Sequence, residues 1–186
     1  MQFRIRKTTI EGLVEIFPSF FEDERGLFLE SFNTKSFEEA GLPTHFVQDN
    51  QSFSKKGVLR GLHFQEAPFA QGKLVRVVSG KVLDIAVDIR PESPTFGKYE
   101  SFLLDGLQHN MVYIPEGFAH GFVALEDTIF TYKCTHIYDK SAERGIRWDD
   151  EQLGIDWGIS DPIISGKDQL LPTFREYFEA ATAARR

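Results

Sequence analysis

The chain has 186 residues and a formal net charge of −7, a length that suits one domain burying roughly 70% of its unfolded surface. The acidic balance excludes broad nucleic-acid binding, which needs basic surface to displace phosphate counterions, so an anionic ligand must be held by local cations. A charged fraction of 26% and a hydrophobic fraction of 41% exclude a disordered chain; with no stretch approaching the ~20 apolar residues of a membrane span and no apolar run behind the start MQFRIRK, a cytoplasmic protein is predicted.

Taken in chain order, FRIRK, LVEIFPSF and GLFLESF alternate with a period near two and predict strands. TKSFEEAG predicts a short helix, with Thr34 and Ser36 as N-cap candidates, Glu38 and Glu39 inside and Gly41 as the stop. KLVRVV and KVLDIAVDI read as strands joined by a hairpin turn at Ser79-Gly80. KYESFLL, NMVYI, HGFVAL and TIFTYKCTHIY continue the series, punctuated by RPESP, DGLQHN and PEG. This rhythm predicts a mainly all-β antiparallel sandwich or barrel with short peripheral helices. Phe174, Tyr177, Phe178 and Ala181 fall at helical spacing and predict a terminal helix packed on the barrel, with ATAARR fraying at the end. The lone Cys134 has no disulfide partner and is expected to be buried as a small apolar residue. The expected organisation is one domain over residues 1–186, with a barrel core near 14–140 and a C-terminal segment, about 141–186, packed upon it.

Chemistry concentrates in GVLRGLHFQEAPFAQGKLVRVVSG, where His63 stands among Arg60, Lys73 and Arg76. Pro115, Gly117 and His120 of IPEGFAHGF match the P-x-G-x-x-H second motif of cupin barrels, and Gly61-Leu62-His63 sits where their first motif begins. Metal-binding cupins continue that motif as H-x-H, then a glutamate, six residues and a glycine. Here the sequence is His63-Phe64-Gln65, and Lys73 stands in the glutamate's place before Gly80. A cation among the ligands repels a divalent ion and an amide is a poor substitute for imidazole in a transition-metal site, so no metal is predicted here. A histidine and a lysine suit different chemistry, because removing a proton from carbon beside a carbonyl needs a neutral base and a cation where the enolate oxygen develops. The base needs a carboxylate partner, for which Asp84, Asp88 and Asp168 are candidates. Inversion also needs an acid on the opposite face, for which Tyr132, Tyr113 and Tyr138 are candidates. Alternation sets Phe130, Tyr132 and Cys134 on one face of their strand.

DERGLFLESFN, FVQDNQS, GVLRGLHFQ, QGKLVRVVSGKVLDIAVDIR, SPTFGKY, YIPEGFAHGF and TYKCT, in that order, resemble the dTDP-4-dehydrorhamnose 3,5-epimerase family to about residue 170. The resemblance implies a homodimeric, cofactor-free cupin-type jelly roll that converts dTDP-4-dehydro-6-deoxy-D-glucose to dTDP-4-dehydro-L-rhamnose for surface-polysaccharide synthesis. It implies His63 as general base, Asp168 of Ser165-Gly166-Lys167-Asp168 as its partner, Tyr132 as the opposing acid and Lys73 as the enolate stabiliser. It further implies substrate binding by Arg60 at the pyrophosphate, His120 at the sugar, and Arg25, Phe28, Glu30, Gln48, Asn50, Tyr138 and Lys167. Part of that set would come from the partner subunit through exchanged N-terminal strands. The chain departs from the family at Tyr138, where tryptophan is frequent, and across DWGISDPIISGKDQLLP, which matches chiefly in its Lys-Asp pair. Alternative readings are an epimerase acting at one carbon of a related nucleotide-linked 4-keto sugar, a metal-dependent cupin enzyme, or a non-catalytic sugar-nucleotide binder.

Overall fold

A computed structural model of the chain describes residues 3–183, with side chains to residue 180. In chain order, β1 (Phe3–Lys7) and β2 (Val14–Pro18) are followed by β3 (Phe20–Asp23), β4 (Gly26–Leu29) and helix α1 (Thr34–Glu39). Next come β5 (Gln48–Ser54), β6 (Leu59–Gln65), β7 (Lys73–Ser79), β8 (Lys81–Asp88), β9 (Tyr99–Asp105), β10 (Met111–Ile114), β11 (Phe118–Ala124) and β12 (Thr128–Cys134). The short β13 (Glu143–Gly145), a 3₁₀ turn at Asp168–Leu170 and helix α2 (Phe174–Ala183) follow. Six strands form one sheet in the order β1-β2-β10-β7-β12-β5, and five form the facing sheet in the order β13-β6-β11-β8-β9. The architecture is the antiparallel sandwich expected from the alternation, laid out as the cupin-type jelly roll that the resemblance implies, with two short helices at its edges.

Alternation decides what each strand buries. Along β8, Val82 and Ala86 join the core between the sheets, while Ile85 and Val87 join a second core on the outer face. Residue 84 shares parity with the first pair, so Asp84 is turned inward among apolar neighbours. The inter-sheet core draws Val75 and Val77 from β7, Val112 and Ile114 from β10, Phe118 and Phe122 from β11, and Phe130 from β12. The second core is covered by the C-terminal segment: Ile146, Leu153, Trp157 and Phe174 pack on Leu59, Phe64 and Val123. Tyr177 meets Phe64 edge-on at 5.0 Å and Phe178 meets Phe96 at 4.7 Å, so these residues of α2 dock as their spacing predicts. A third core, under α1, gathers Phe3, Ile16, Phe37, Leu74 and Met111 on the outer face of the six-stranded sheet.

Three local expectations are corrected. β7 and β8 make no hairpin: β7 pairs with β10 and β12, β8 with β11 and β9. At Gly80 the chain passes between the sheets with φ +87°, where a Cβ would stand 2.3 Å from the Asp127 carbonyl oxygen. α1 is capped by Asn33, whose Oδ1 accepts the Ser36 N–H at 3.1 Å, and not by Thr34 or Ser36. Arg76 lies on the face of β7 opposite Lys73, because Leu74 faces the third core while Val75 and Val77 face inward. Of ATAARR, residues 181–183 continue α2 and residues 184–186 lie outside the described residues, as does the side chain of Ala181.

Candidate active site

The two histidine motifs meet because β6 and β11 pair with His63 opposite His120, next to a register shift. Their glycines permit the close approach: a Cβ on Gly61, at φ +133°, would stand 2.5 Å from the Gly121 Cα. Beyond this contact the sheets part around a cavity of about 620 Å³, lined by His63, Lys73, His120, Tyr132, Asp168 and Arg60 among others. That volume is typical of small-molecule sites.

His63 and Asp168 are 2.8 Å apart, Nε2 to Oδ1. Asp168 is buried, and its second oxygen accepts the Gly61 N–H at 3.4 Å. The Ser165 hydroxyl holds the Asp168 N–H at 3.1 Å, seating the carboxylate at the head of its 3₁₀ turn. Burial alone would lift the Asp168 pKa, but hydrogen bonds from His63, Gly61 and Ser165, with the His63 charge, outweigh it and hold the carboxyl below its ordinary range. An ionised carboxylate can only accept, so Nε2 of His63 carries the proton and Nδ1 is left as the basic atom.

Lys73 projects into the cavity from the opposite sheet. Its Nζ reaches the His63 carbonyl at 3.5 Å and lies 5.9 Å from the centroid of the Tyr132 ring. Burial pushes the Lys73 pKa down, opposed by Cys134, Asp84 and Glu143. Tyr132, on β12 beside β7, shares the wall with Lys73, and burial pushes its phenol up. The sandwich therefore sets His63 on one wall of the cavity and Tyr132 on the other, with an ammonium between the sheets. A base, a proton donor facing it and a cation can together move protons at carbon beside a carbonyl.

The family model described as dTDP-4-dehydrorhamnose 3,5-epimerase matches residues 7–176. The dTDP-4-dehydrorhamnose 3,5-epimerase of Shigella flexneri is 54% identical over 164 residues, covering 87% of this chain and 91% of that one. The chain belongs to the dTDP-4-dehydrorhamnose 3,5-epimerase family. It is an isomerase. A crystal structure of the epimerase from Elizabethkingia anophelis superposes with a TM-score of 0.90 at 47% identity, covering 95% of this chain and 98% of that one. The Legionella pneumophila enzyme, solved in complex with dTDP-4-keto-L-rhamnose, gives 0.89 at 46% identity, with 93% of each chain covered. A Streptomyces niveus relative, 41% identical over 89% of this chain and 81% of its own, is named a 3-epimerase.

In this epimerase the remaining predicted residues divide by position. Arg60 points to the cavity with only neutral partners among the described residues, the Ser54 hydroxyl at 3.0 Å and the Phe53 carbonyl at 3.3 Å. That leaves its charge available to an anion. Asn50 lines the cavity and donates to Cys134 Sγ at 3.6 Å, and Cys134 is buried as expected. Gln48 stands behind it, donating to Asn50 Oδ1 at 3.1 Å and accepting the Tyr138 N–H at 2.7 Å. Tyr138 and Lys167 converge on Glu143, the hydroxyl at 2.8 Å and the ammonium at 2.7 Å. Arg25, Phe28 and Glu30 are not among the lining residues: they belong to the β3–β4 ribbon and its exit, where Arg25 pairs with Asp23 and Glu30 accepts from Asn33.

Other candidates fall elsewhere. Tyr113 is buried in the third core, and its phenol is pushed up to about 12 by burial. Asp88 is engaged by Arg90, Ser93 and Thr95 at the end of β8. Asp84 pairs with His120, not His63. Gln65 is buried and ties two loops together, donating to the Phe69 carbonyl at 2.9 Å and accepting the Asp139 N–H at 2.7 Å. Glu143 carries no signal in the sequence, since its three-residue strand has no alternation; pairing with Gln65 across β13 and β6 brings it to the rim. Among the described residues no group of three or more His, Cys, Asp or Glu side chains is placed to hold a metal ion.

Proposed function

We propose that this epimerase inverts C3 and C5 of dTDP-4-dehydro-6-deoxy-D-glucose to give dTDP-4-dehydro-L-rhamnose, without a metal or other cofactor. The observation that carries the reading is the placement of His63–Asp168 and Tyr132 on facing sheets with Lys73 reaching between them. His63 Nδ1 takes the proton from carbon beside the C4 ketone, and the electron pair of the C–H bond moves onto the C4 oxygen. The Lys73 ammonium holds that enolate oxygen. Tyr132 then delivers a proton to C5 from the other wall, and exchange with solvent returns base and acid to their starting states.

Arg60 holds the pyrophosphate as a fork of N–H donors. Gln48, Asn50, His120, Tyr138 and Lys167 complete the binding surface from the same chain. Arg25, Phe28 and Glu30 act from the partner subunit of a homodimer with exchanged N-terminal strands. The exposed apolar residues of the β3–β4 ribbon support this, with Phe21 74% and Phe28 70% accessible. An isolated two-stranded ribbon of that character is marginal in water and needs a partner. The chain works as a single cytoplasmic domain.

Purified protein incubated with this substrate in deuterated water tests the reading. It predicts label at both C3 and C5 and full activity after exhaustive chelation. Label at C3 alone replaces it with the single-centre reaction for which the Streptomyces niveus relative is named. No label, or activity lost to the chelator and restored by metal, contradicts it.

A further inference from the structure

The cavity holds a second histidine–carboxylate pair. His120 Nε2 stands 2.7 Å from Asp84 Oδ2, with Asp84 fully buried at 0% exposure and His120 nearly so. In the pairing of β8 and β11 His120 stands opposite Ala86 and Asp84 opposite Phe122, so the two residues are diagonal neighbours on one face, both turned toward the space between the sheets. The His120 ring is further fixed by stacking on Phe130, 6.1 Å between centroids and 23° between planes, with Phe130 in turn stacked on Phe122 at 4.3 Å. Structural burial alone explains none of this polarity. A valine-sized apolar residue at position 84 would continue the run of Val82 and Ala86, yet the chain sets a carboxylate there.

Asp84 Oδ1 is the one buried side-chain oxygen or nitrogen among the described residues without a hydrogen-bond partner. A dry, unpaired carboxylate oxygen works against folding and calls for a functional reason. Among the described residues His120 Nδ1 has no hydrogen-bond partner either, yet it is not one of the sealed, unpartnered atoms, so it retains access to the cavity that His120 lines. Asp84 is also one of the negative groups that oppose the effect of burial on Lys73.

Resting on the epimerase reading, we propose that Asp84 is a positioning residue: by accepting a hydrogen bond from the Nε2–H of His120 it turns Nδ1 toward the oxygen of the reacting carbonyl, beside Lys73. A carboxylate opposite one ring nitrogen selects the tautomer and the ring orientation, as in other histidine–aspartate pairs. The buried negative charge also favours the protonated form of Lys73, the form that can receive an enolate. Asp84 thereby acts through two neighbours without touching substrate.

Kinetics and spectroscopy on the full-length protein together test the proposal. Asp84→Asn, which keeps the shape and removes the charge, is expected to lower kcat at least tenfold while KM stays within about threefold. In the His120→Asn background the same change is expected to cost about threefold or less, since its route through His120 is gone. An equal loss in both backgrounds, or an unchanged kcat, overturns the proposal. ¹⁵N-histidine NMR of the wild-type protein stands independent of any variant's folding. The proposal requires His120 to carry its proton on Nε2, and a spectrum with Nε2 unprotonated overturns it. Wild-type exchange in deuterated water separates the two levels: its absence removes the epimerase reading and this inference together, whereas its presence with insensitive Asp84 variants removes this inference alone.

Discussion

In the proposed mechanism Lys73 does at residue scale what a carboxylate does in metal-binding cupins, with the sign of the charge reversed. An ammonium taken out of water between two sheets is held by its surroundings and is poised for an oxygen that turns negative. Burial pushes its pKa below the ordinary 10.5, opposed by Cys134, Asp84 and Glu143. The proton is therefore lost at lower pH than from a free lysine, and the form that stabilises the enolate is the one present below that point. The alkaline limb of the kcat profile is expected below pH 10.5 and to be absent in Lys73→Met, whose residual rate is flat across the same range. A limb that persists unchanged in Lys73→Met contradicts the assignment. Position 73 was readable in the sequence because the cupin spacing to Gly80 indexes it. Glu143 was not, because nothing in a three-residue polar strand announces which strand it will join.

Among the elements, β8 shows why alternation located the cores yet misjudged connections. Its period-two pattern sorts side chains between two cores, but it says nothing about which strand pairs with it. Ser79-Gly80 carries the composition of a hairpin turn, whereas the jelly roll uses it to pass between sheets, a choice made by tertiary packing against Asp127 and Thr128. β5 and β6 lacked a strand signal for related reasons: β5 holds one apolar residue, Phe53, with polar residues such as Asn50 turned to the cavity, and in β6 the buried Leu59, Leu62 and Phe64 fall out of period two around Gly61. The end of β8 supplies a stability test. Asp88 is fully buried, which alone would raise its pKa, but Arg90, Ser93 and Thr95 outweigh burial and lower it from 3.8 to about 2. That depression contributes about 2 kcal/mol. The contribution is whole above the unfolded-state value of 3.8 and is lost as pH falls toward 2. Denaturant melts are expected to show Asp88→Asn less stable than wild type near neutrality, with the gap closing across that acid window. A constant gap at every pH contradicts the electrostatic origin.

For the molecule as a whole, the described chain builds most of a cavity and leaves Arg25, Phe28 and Glu30 outside it. The family resemblance named these three from DERGLFLES, but a single sequence cannot tell which subunit's cavity they serve. If the homodimer exchanges its N-terminal strands, each site draws Arg25 from one subunit and His63 from the other. Co-refolding Arg25→Ala with His63→Ala chains should then regain about a quarter of wild-type activity, since half of randomly assorted dimers are mixed and each holds one intact site. Each variant refolded alone should stay far below that level. No recovery in the mixture contradicts exchange of the strands.

The central claim is that a neutral His63 works against Tyr132 across the cavity, so deuterium incorporation by variants tests it most directly. His63→Ala is predicted to place no solvent deuterium at C3 or C5, while Tyr132→Phe is predicted to exchange the proton yet fail to invert C5. Full epimerisation with label at both carbons by His63→Ala would contradict the account.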